Sequence, residues 1–202
     1  MHTAPLDYLK QTYQPHTILA YGSYTCGTQT EWSDYDVLVI TDRAQSQHDG
    51  SVVEGVRLDA FVYHTQDYLS KQDLSEFLQV YGGQILLDER GLARALLTRL
   101  EKHVAEHAVI SVQEKNHLRS WCVKMLARAQ AGDPEGMLRW HWLLYDSLEI
   151  YCSLRDQFYF GPKKTMQSIR NCAPVSYKIL ERALYQMDFK ALSAWISCVL
   201  DI

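Results

Sequence analysis

The sequence predicts an α+β half followed by an all-α half, with the change near residue 104. Three observations carry this. Up to about residue 100, short β-branched runs bounded by Gly and polar clusters alternate with amphipathic segments. Beyond it the apolar spacing is almost entirely helical. The chain has 202 residues, enough for two small units that each bury a core. We therefore divide it into residues 1–103 and 104–202.

The elements follow in order. Residues 6–13 read as a short helix with Pro5 near its start. Residues 17–21 are an apolar run entering a tight turn at Gly22-Ser23, and 37–41 form a second strand. The polar stretch 42–50 reads as a loop. Residues 52–63 form a third strand, interrupted at Gly55, with Val56, Leu58, Ala60 and Val62 on one face and Arg57, Asp59, Phe61 and Tyr63 on the other. A helix is expected over 65–80 with Thr65 as its cap, a strand over 84–87 after Gly82-Gly83, and a helix over 88–103. In the second half, 111–131 is one amphipathic segment stopped by Gly132. Asp133-Pro134 starts an aromatic-rich helix, expected to run to about Phe160 and end at Gly161-Pro162. Residues 163–171 form a short helix and 174–200 one or two more.

Composition narrows the function classes. A net charge of −4 and a pI near 6.0 supply no global basic field, which disfavours nucleic acid as the partner. Cys26, Cys122, Cys152, Cys172 and Cys198 are scattered without CxxC spacing, so neither a disulfide framework nor a structural zinc site is expected. Residues 1–14 show no basic segment followed by an apolar run, and no apolar stretch approaches the ~20 residues that span a bilayer. The expectation is a cytoplasmic protein without membrane association.

The chemistry concentrates between residues 21 and 40. A strand leads into Gly22-Ser23, a loop containing Gly27 follows, and Asp34-Tyr35-Asp36 opens the next strand. Residues two apart in an extended chain project to one side, so Asp34 and Asp36 are paired carboxylates. Such a pair suits one or two magnesium ions, which prefer oxygen ligands and stay partly hydrated. Asp59, in a strand-like run, is a candidate third carboxylate. Gly22 permits close approach at a turn, and the Ser23 hydroxyl and backbone N–H are donors for phosphate oxygens.

This constellation resembles the signature of the DNA polymerase β-type nucleotidyltransferase superfamily. The likeness is greatest to the small bacterial branch that includes aminoglycoside nucleotidyltransferases and the minimal nucleotidyltransferases paired with HEPN-like helical domains. It is carried by residues 18–63 and extends to about residue 90. The resemblance implies a mixed-sheet palm followed by a helical bundle of kanamycin-nucleotidyltransferase or HEPN type. It makes Gly22 and Ser23 the phosphate-binding turn, Gly27 the loop glycine, Asp34 and Asp36 metal ligands, and Asp59 a ligand or base. It implies Mg²⁺ (or Mn²⁺) as cofactor and an NTP, ATP first, as substrate. Homodimers are common in the branch. Two departures stand out: Tyr24 and Cys26 fill loop places where many relatives carry Arg, and residues 104–202 lack the Arg-x4–6-His motif of HEPN ribonucleases.

In the second half, Lys163 and Lys164 follow Gly161-Pro162 at a helix start. They are either a phosphate clamp reaching the triphosphate across a cleft or an exposed basic pair. Asp146 and Glu149, three apart on the aromatic helix, are either a base or acceptor contact or carboxylates paired with Arg139, Arg155 or a neighbouring helix. Trp140, Trp142, Tyr145 and Tyr151 fit a helix core better than a stacking platform. The sequence thus points to metal-dependent transfer of a nucleoside monophosphate to a hydroxyl. A small-molecule acceptor, such as an aminoglycoside-like antibiotic, comes first, a protein target second, and a non-catalytic nucleotide-binding module third.

Overall fold

The computed structural model describes residues 3–201. These form two compact units, divided between His103 and Val104. The first opens with α1 (Thr3–Tyr13) and continues through β1 (Thr17–Ala20), the single turn α2 (Ser23–Cys26) and β2 (Tyr35–Thr41). After β3 (Gln47–Asp49), β4 (Val52–Val53) and β5 (Val56–His64) come α3 (Thr65–Ser70), a 3-10 segment (Leu74–Val80), β6 (Gln84–Asp88) and α4 (Leu92–His107). The strands make a mixed sheet in the order β3-β5-β2-β1-β6, with β4 paired to β5 off this path. Among the described residues only β2 and β5 pair in parallel; β1 is antiparallel to both β2 and β6.

Alternation sorts the side chains onto two faces. Leu9 and Tyr13 of α1 pack with Ile18, Val37, Val39, Leu58, Ala60 and Val62 on one. Leu19, Tyr21, Leu38 and Ile40 meet Tyr68, Phe77, Leu96 and Leu100 on the other, with Phe61 and Tyr63 at its margin. The β4–β5 connection is a two-residue hairpin at Glu54-Gly55, both at positive φ, as such a turn requires.

Two expectations for this unit are corrected. The polar stretch 42–50 contains β3, and Asp49 is what fixes it. Its carboxylate is buried, accepts a 2.7 Å bond from the Tyr13 hydroxyl and accepts a bond from the Ser51 amide. The stretch 65–80 is not one helix. His64 rather than Thr65 caps α3, whose side chain accepts from the Gln66 amide. Helix α3 ends at Ser70 with Lys71 as its C-cap, and Asp73 caps the 3-10 segment afresh. Thr65 instead donates to Asp42 at 2.6 Å, lies 3.2 Å from the Thr41 carbonyl and bonds His16, tying β1, β2 and α3 together.

Burial pushes the Asp49 carboxyl up, but the bonds it accepts from Ser51 and Tyr13 outweigh burial and hold it below the usual range. Because its folded pKa is depressed, its contribution is complete above the unfolded value near ~4 and is lost as pH falls through the folded value. Asp49→Asn is expected to cost about 1–3 kcal/mol at neutral pH. It should also flatten the acid limb of stability in denaturant titrations run at several pH values.

The second unit contains α5 (Val112–Ala129), α6 (Pro134–Leu154), α7 (Pro162–Cys172), α8 (Pro174–Gln186) and α9 (Phe189–Leu200). Helix α5 starts in a capping box between Ser111 and Glu114, and α6 starts at the Asp133 cap with Pro134 in its first turn. Helix α6 ends at Leu154, six residues before the expected Phe160. Asp156 there takes positive φ, and the Arg155 guanidinium lies 3.8 Å from the Tyr151 ring and bonds the last carbonyls of α9. Trp195 is fully buried, stacks on Tyr151 and donates a 2.7 Å bond from its indole to Ser147. Trp195→Ala should therefore lower stability by about 3–5 kcal/mol, read from urea unfolding of the whole chain. No described helix is long and apolar enough to cross a membrane.

Candidate active site

The site is a row of side chains on one face of the first unit's sheet. Strand β1 ends at Ala20, the Tyr21 amide still bonds the Asp36 carbonyl at 3.0 Å, and the chain then turns at Gly22 with φ 73° and ψ −153°. A Cβ at Gly22 would lie 2.0 Å from Asp36 Oδ2, so the absence of a side chain is what lets the carboxylate reach the turn. Ser23 is buried at the start of α2, and Gly27 closes that turn in the left-handed conformation.

The parallel β2–β5 ladder sets Asp36 in register with Asp59. Adjacent strands lie about 4.8 Å apart, and both side chains share the face of Leu38, Ile40, Phe61 and Tyr63. Asp36 and Asp59 are therefore neighbours at the same end of the two strands. Asp34 sits just before β2 in the loop and is exposed. His48, on the edge strand β3, donates from Nε2 to Asp59 Oδ1 at 2.6 Å, and its ring lies 5.0 Å from that of Phe61. Burial pushes the Tyr21 phenol well above its ordinary pKa, and the charges of Asp59 and Asp36 push it further, so it remains a neutral O–H.

The donor set fits a hard divalent cation in kind: carboxylate oxygens, two of them in register, at a glycine turn that a Cβ would fill. Among the described residues no three His, Cys, Asp or Glu side chains are gathered as a ready metal cage. Of the three carboxylates expected from sequence, Asp36 and Asp59 stand in register on the sheet, Asp34 lies in the loop before β2, and Asp59 is bonded by His48. Magnesium does not require such a cage, since it binds through one or two carboxylates together with substrate phosphates and retained water.

The remaining candidates belong to the second unit. Lys163 is exposed in the first turn of α7, while the Lys164 ammonium lies 5.3 Å from the centre of the Phe160 ring. Asp146 and Glu149 line one groove of about 960 Å³ between α5 and α6, together with Glu114, His117, Leu118 and Trp121. They are not paired with the arginines suggested from sequence: Arg139 bonds Glu135, and Arg155 bonds Asp201. Burial raises the Asp146 carboxyl, against the lowering effect of a bond from Trp142. Trp140 and Tyr151 are core residues, whereas Trp142 and Tyr145 are exposed.

Sequence reasoning missed His48, Tyr21 and the α5 side of the groove. Tyr21 was within reach, since alternation from Leu19 puts it on the Asp36 face. His48 had no such signal, as a three-residue strand shows no period.

A glycine turn abutting a carboxylate pair on a mixed sheet sets donors suited to phosphate oxygens beside oxygen ligands suited to a hard cation. Residues 6–117, more than half of the chain, match the family profile of the nucleotidyltransferase domain, and the chain belongs to that family; it is a nucleotidyltransferase. Among solved structures it is similar to a nucleotidyltransferase-like protein from Exiguobacterium sibiricum 255-15. Identity is 16%, the match covers 98% of this chain and 71% of that one, and the TM-score is 0.39. No curated protein matches the chain.

Proposed function

We propose that the chain transfers a nucleoside monophosphate, with ATP as the first candidate donor, to a hydroxyl of a small-molecule acceptor and releases pyrophosphate. The observation that carries this is the contact of Asp36 with the Gly22 turn, in register with Asp59. It puts the carboxylates beside the segment whose donors suit phosphate oxygens.

Ser23 would donate its hydroxyl and backbone N–H to the triphosphate, and the open backbone at Gly22 admits a phosphate oxygen. Asp36 and Asp59, joined by Asp34, would hold Mg²⁺ or Mn²⁺. When bound, that ion polarises the transferred phosphoryl group and neutralises the departing pyrophosphate. Tyr21, kept neutral, offers an O–H rather than a second charge beside the carboxylates. The acceptor hydroxyl attacks the α-phosphorus in line, so the protein's contribution is positioning and charge neutralisation. The groove bearing Asp146 and Glu149 supports a small-molecule acceptor: its volume suits one, and its carboxylates suit hydroxyl and ammonium groups such as those of an aminoglycoside-like compound.

The test is pyrophosphate release with Mg²⁺, each NTP in turn and a panel of aminoglycosides and other polyols. Release that depends on an acceptor is the expected outcome. Absence of release, together with absence of metal-dependent nucleotide binding by calorimetry, would contradict the reading.

A further inference from the structure

One of the two in-register carboxylates is bonded by a residue outside the sequence motif. His48 donates from Nε2 to Asp59 Oδ1 at 2.6 Å. Its placement is built from three sides. Strand β3 pairs antiparallel with β5, setting His48 opposite Phe61 and Asp49 opposite Ala60. His48 therefore shares a face with Phe61 and stands diagonal to Asp59, within reach of a long side chain. Asp49 faces the other way, where Tyr13 and Ser51 hold it buried. A one-residue slip of β3 would exchange the two faces, so burying Asp49 locks His48 onto the Asp59 side. The Phe61 ring, 5.0 Å away, then supports the imidazole.

The pair is a poor candidate for a fold-stabilising device. The side chains are 50% and 36% exposed, and ion pairs in such settings contribute little to stability. The bond instead has a directional consequence. It occupies one oxygen of a carboxylate that neighbours Asp36, and so limits rotation of that carboxylate before any ligand arrives. Carboxylate ligands of metals are ordinarily fixed by such outer hydrogen bonds, and losing one weakens metal binding.

We propose that His48 is a positioning residue: its Nε2–H fixes Asp59 in the orientation that receives the divalent cation of the cation–nucleotide complex. This rests on the reading that Asp36 and Asp59 bind that cation. It adds a requirement the motif does not contain, namely a hydrogen-bond donor on the edge strand β3.

The experiment measures Mn²⁺ binding by electron paramagnetic resonance at constant pH, with a non-hydrolysable ATP analogue present. Wild type is compared with His48→Ala, His48→Leu, His48→Gln and Asp36→Asn. His48→Leu keeps an apolar contact for Phe61 without a donor, and provides the donor-free comparison should the alanine variant not fold. His48→Gln places an amide N–H near the position of Nε2. Donor-free variants should bind Mn²⁺ about tenfold more weakly. The glutamine variant should recover most of that affinity, and analogue binding in metal-free buffer should be unchanged across the His48 variants. Wild-type Mn²⁺ affinity in the folded donor-free variants overturns the proposal, as does a glutamine variant as weak as the leucine one. If Asp36→Asn also leaves Mn²⁺ binding intact, the cation-site reading itself falls. If Asp36→Asn abolishes binding while the His48 variants do not weaken it, only the role of His48 falls.

Discussion

Asp36→Asn is expected to lower nucleotidyl transfer by about a thousandfold or more while the chain stays folded. The substitution preserves shape and removes charge. Asp36 is half-buried beside Gly22, next to Asp59 in the parallel ladder, and it opens a strand whose later residues Val37, Val39 and Ile40 are fully buried. Core packing therefore changes little, and a melting curve should move by only a few degrees. What disappears is one of two neighbouring negative charges, and with it, under the proposed function, the site's hold on a cation. Steady-state pyrophosphate release, read beside thermal melting, checks both halves of the expectation. A variant that melts like wild type and still turns over at more than about a tenth of its rate would remove Asp36 from the mechanism.

Gly22→Ala should be damaging in a different way. The new methyl carbon would stand 2.0 Å from Asp36 Oδ2 and 2.8 Å from its Cγ, far inside contact distance. The backbone at φ 73°, ψ −153° also lies in a region that essentially only glycine occupies, at a cost of about 1–3 kcal/mol for any other residue. The carboxylate must be displaced or the turn must open, and either outcome breaks the arrangement between the turn and Asp36. Transfer is expected to fall at least as far as in Asp36→Asn, now with a clear loss of stability in urea unfolding. Gly27→Ala is the natural comparison. Gly27 is left-handed too, but a Cβ there meets nothing within 4 Å, so it should bear a backbone penalty without displacing a site residue.

Much of this was legible in the sequence because it depends on local patterns. Gly22-Ser23, the Asp34-x-Asp36 step and the alternation through Asp59 are all readable at a spacing of one or two residues. The paired register of Asp36 and Asp59 is the tertiary consequence of two such strands lying side by side. His48 was not legible, because three residues of edge strand among polar neighbours carry no hydrophobic period. The burial of Asp49, which fixes that strand, comes from Tyr13 at a distance of 36 residues along the chain. The split of 65–80 was hidden for a similar reason. Its apolar residues suit a helix, but His64 and Asp73 cap two separate short segments. In the helical unit, the spacing of Asp146 and Glu149 puts them on one side of α6. Their shared groove also needs α5, whose contribution no pattern within α6 contains.

The central claim is that the α-phosphoryl group with its nucleoside moves, rather than the γ-phosphoryl group. The most direct measurement supplies ATP labelled at either the α- or the γ-phosphate, with Mg²⁺ and the acceptor panel, and asks which label ends on the acceptor. The account predicts that the α-label is transferred and the γ-label leaves in pyrophosphate. Transfer of the γ-label would make the chain a kinase and contradict it.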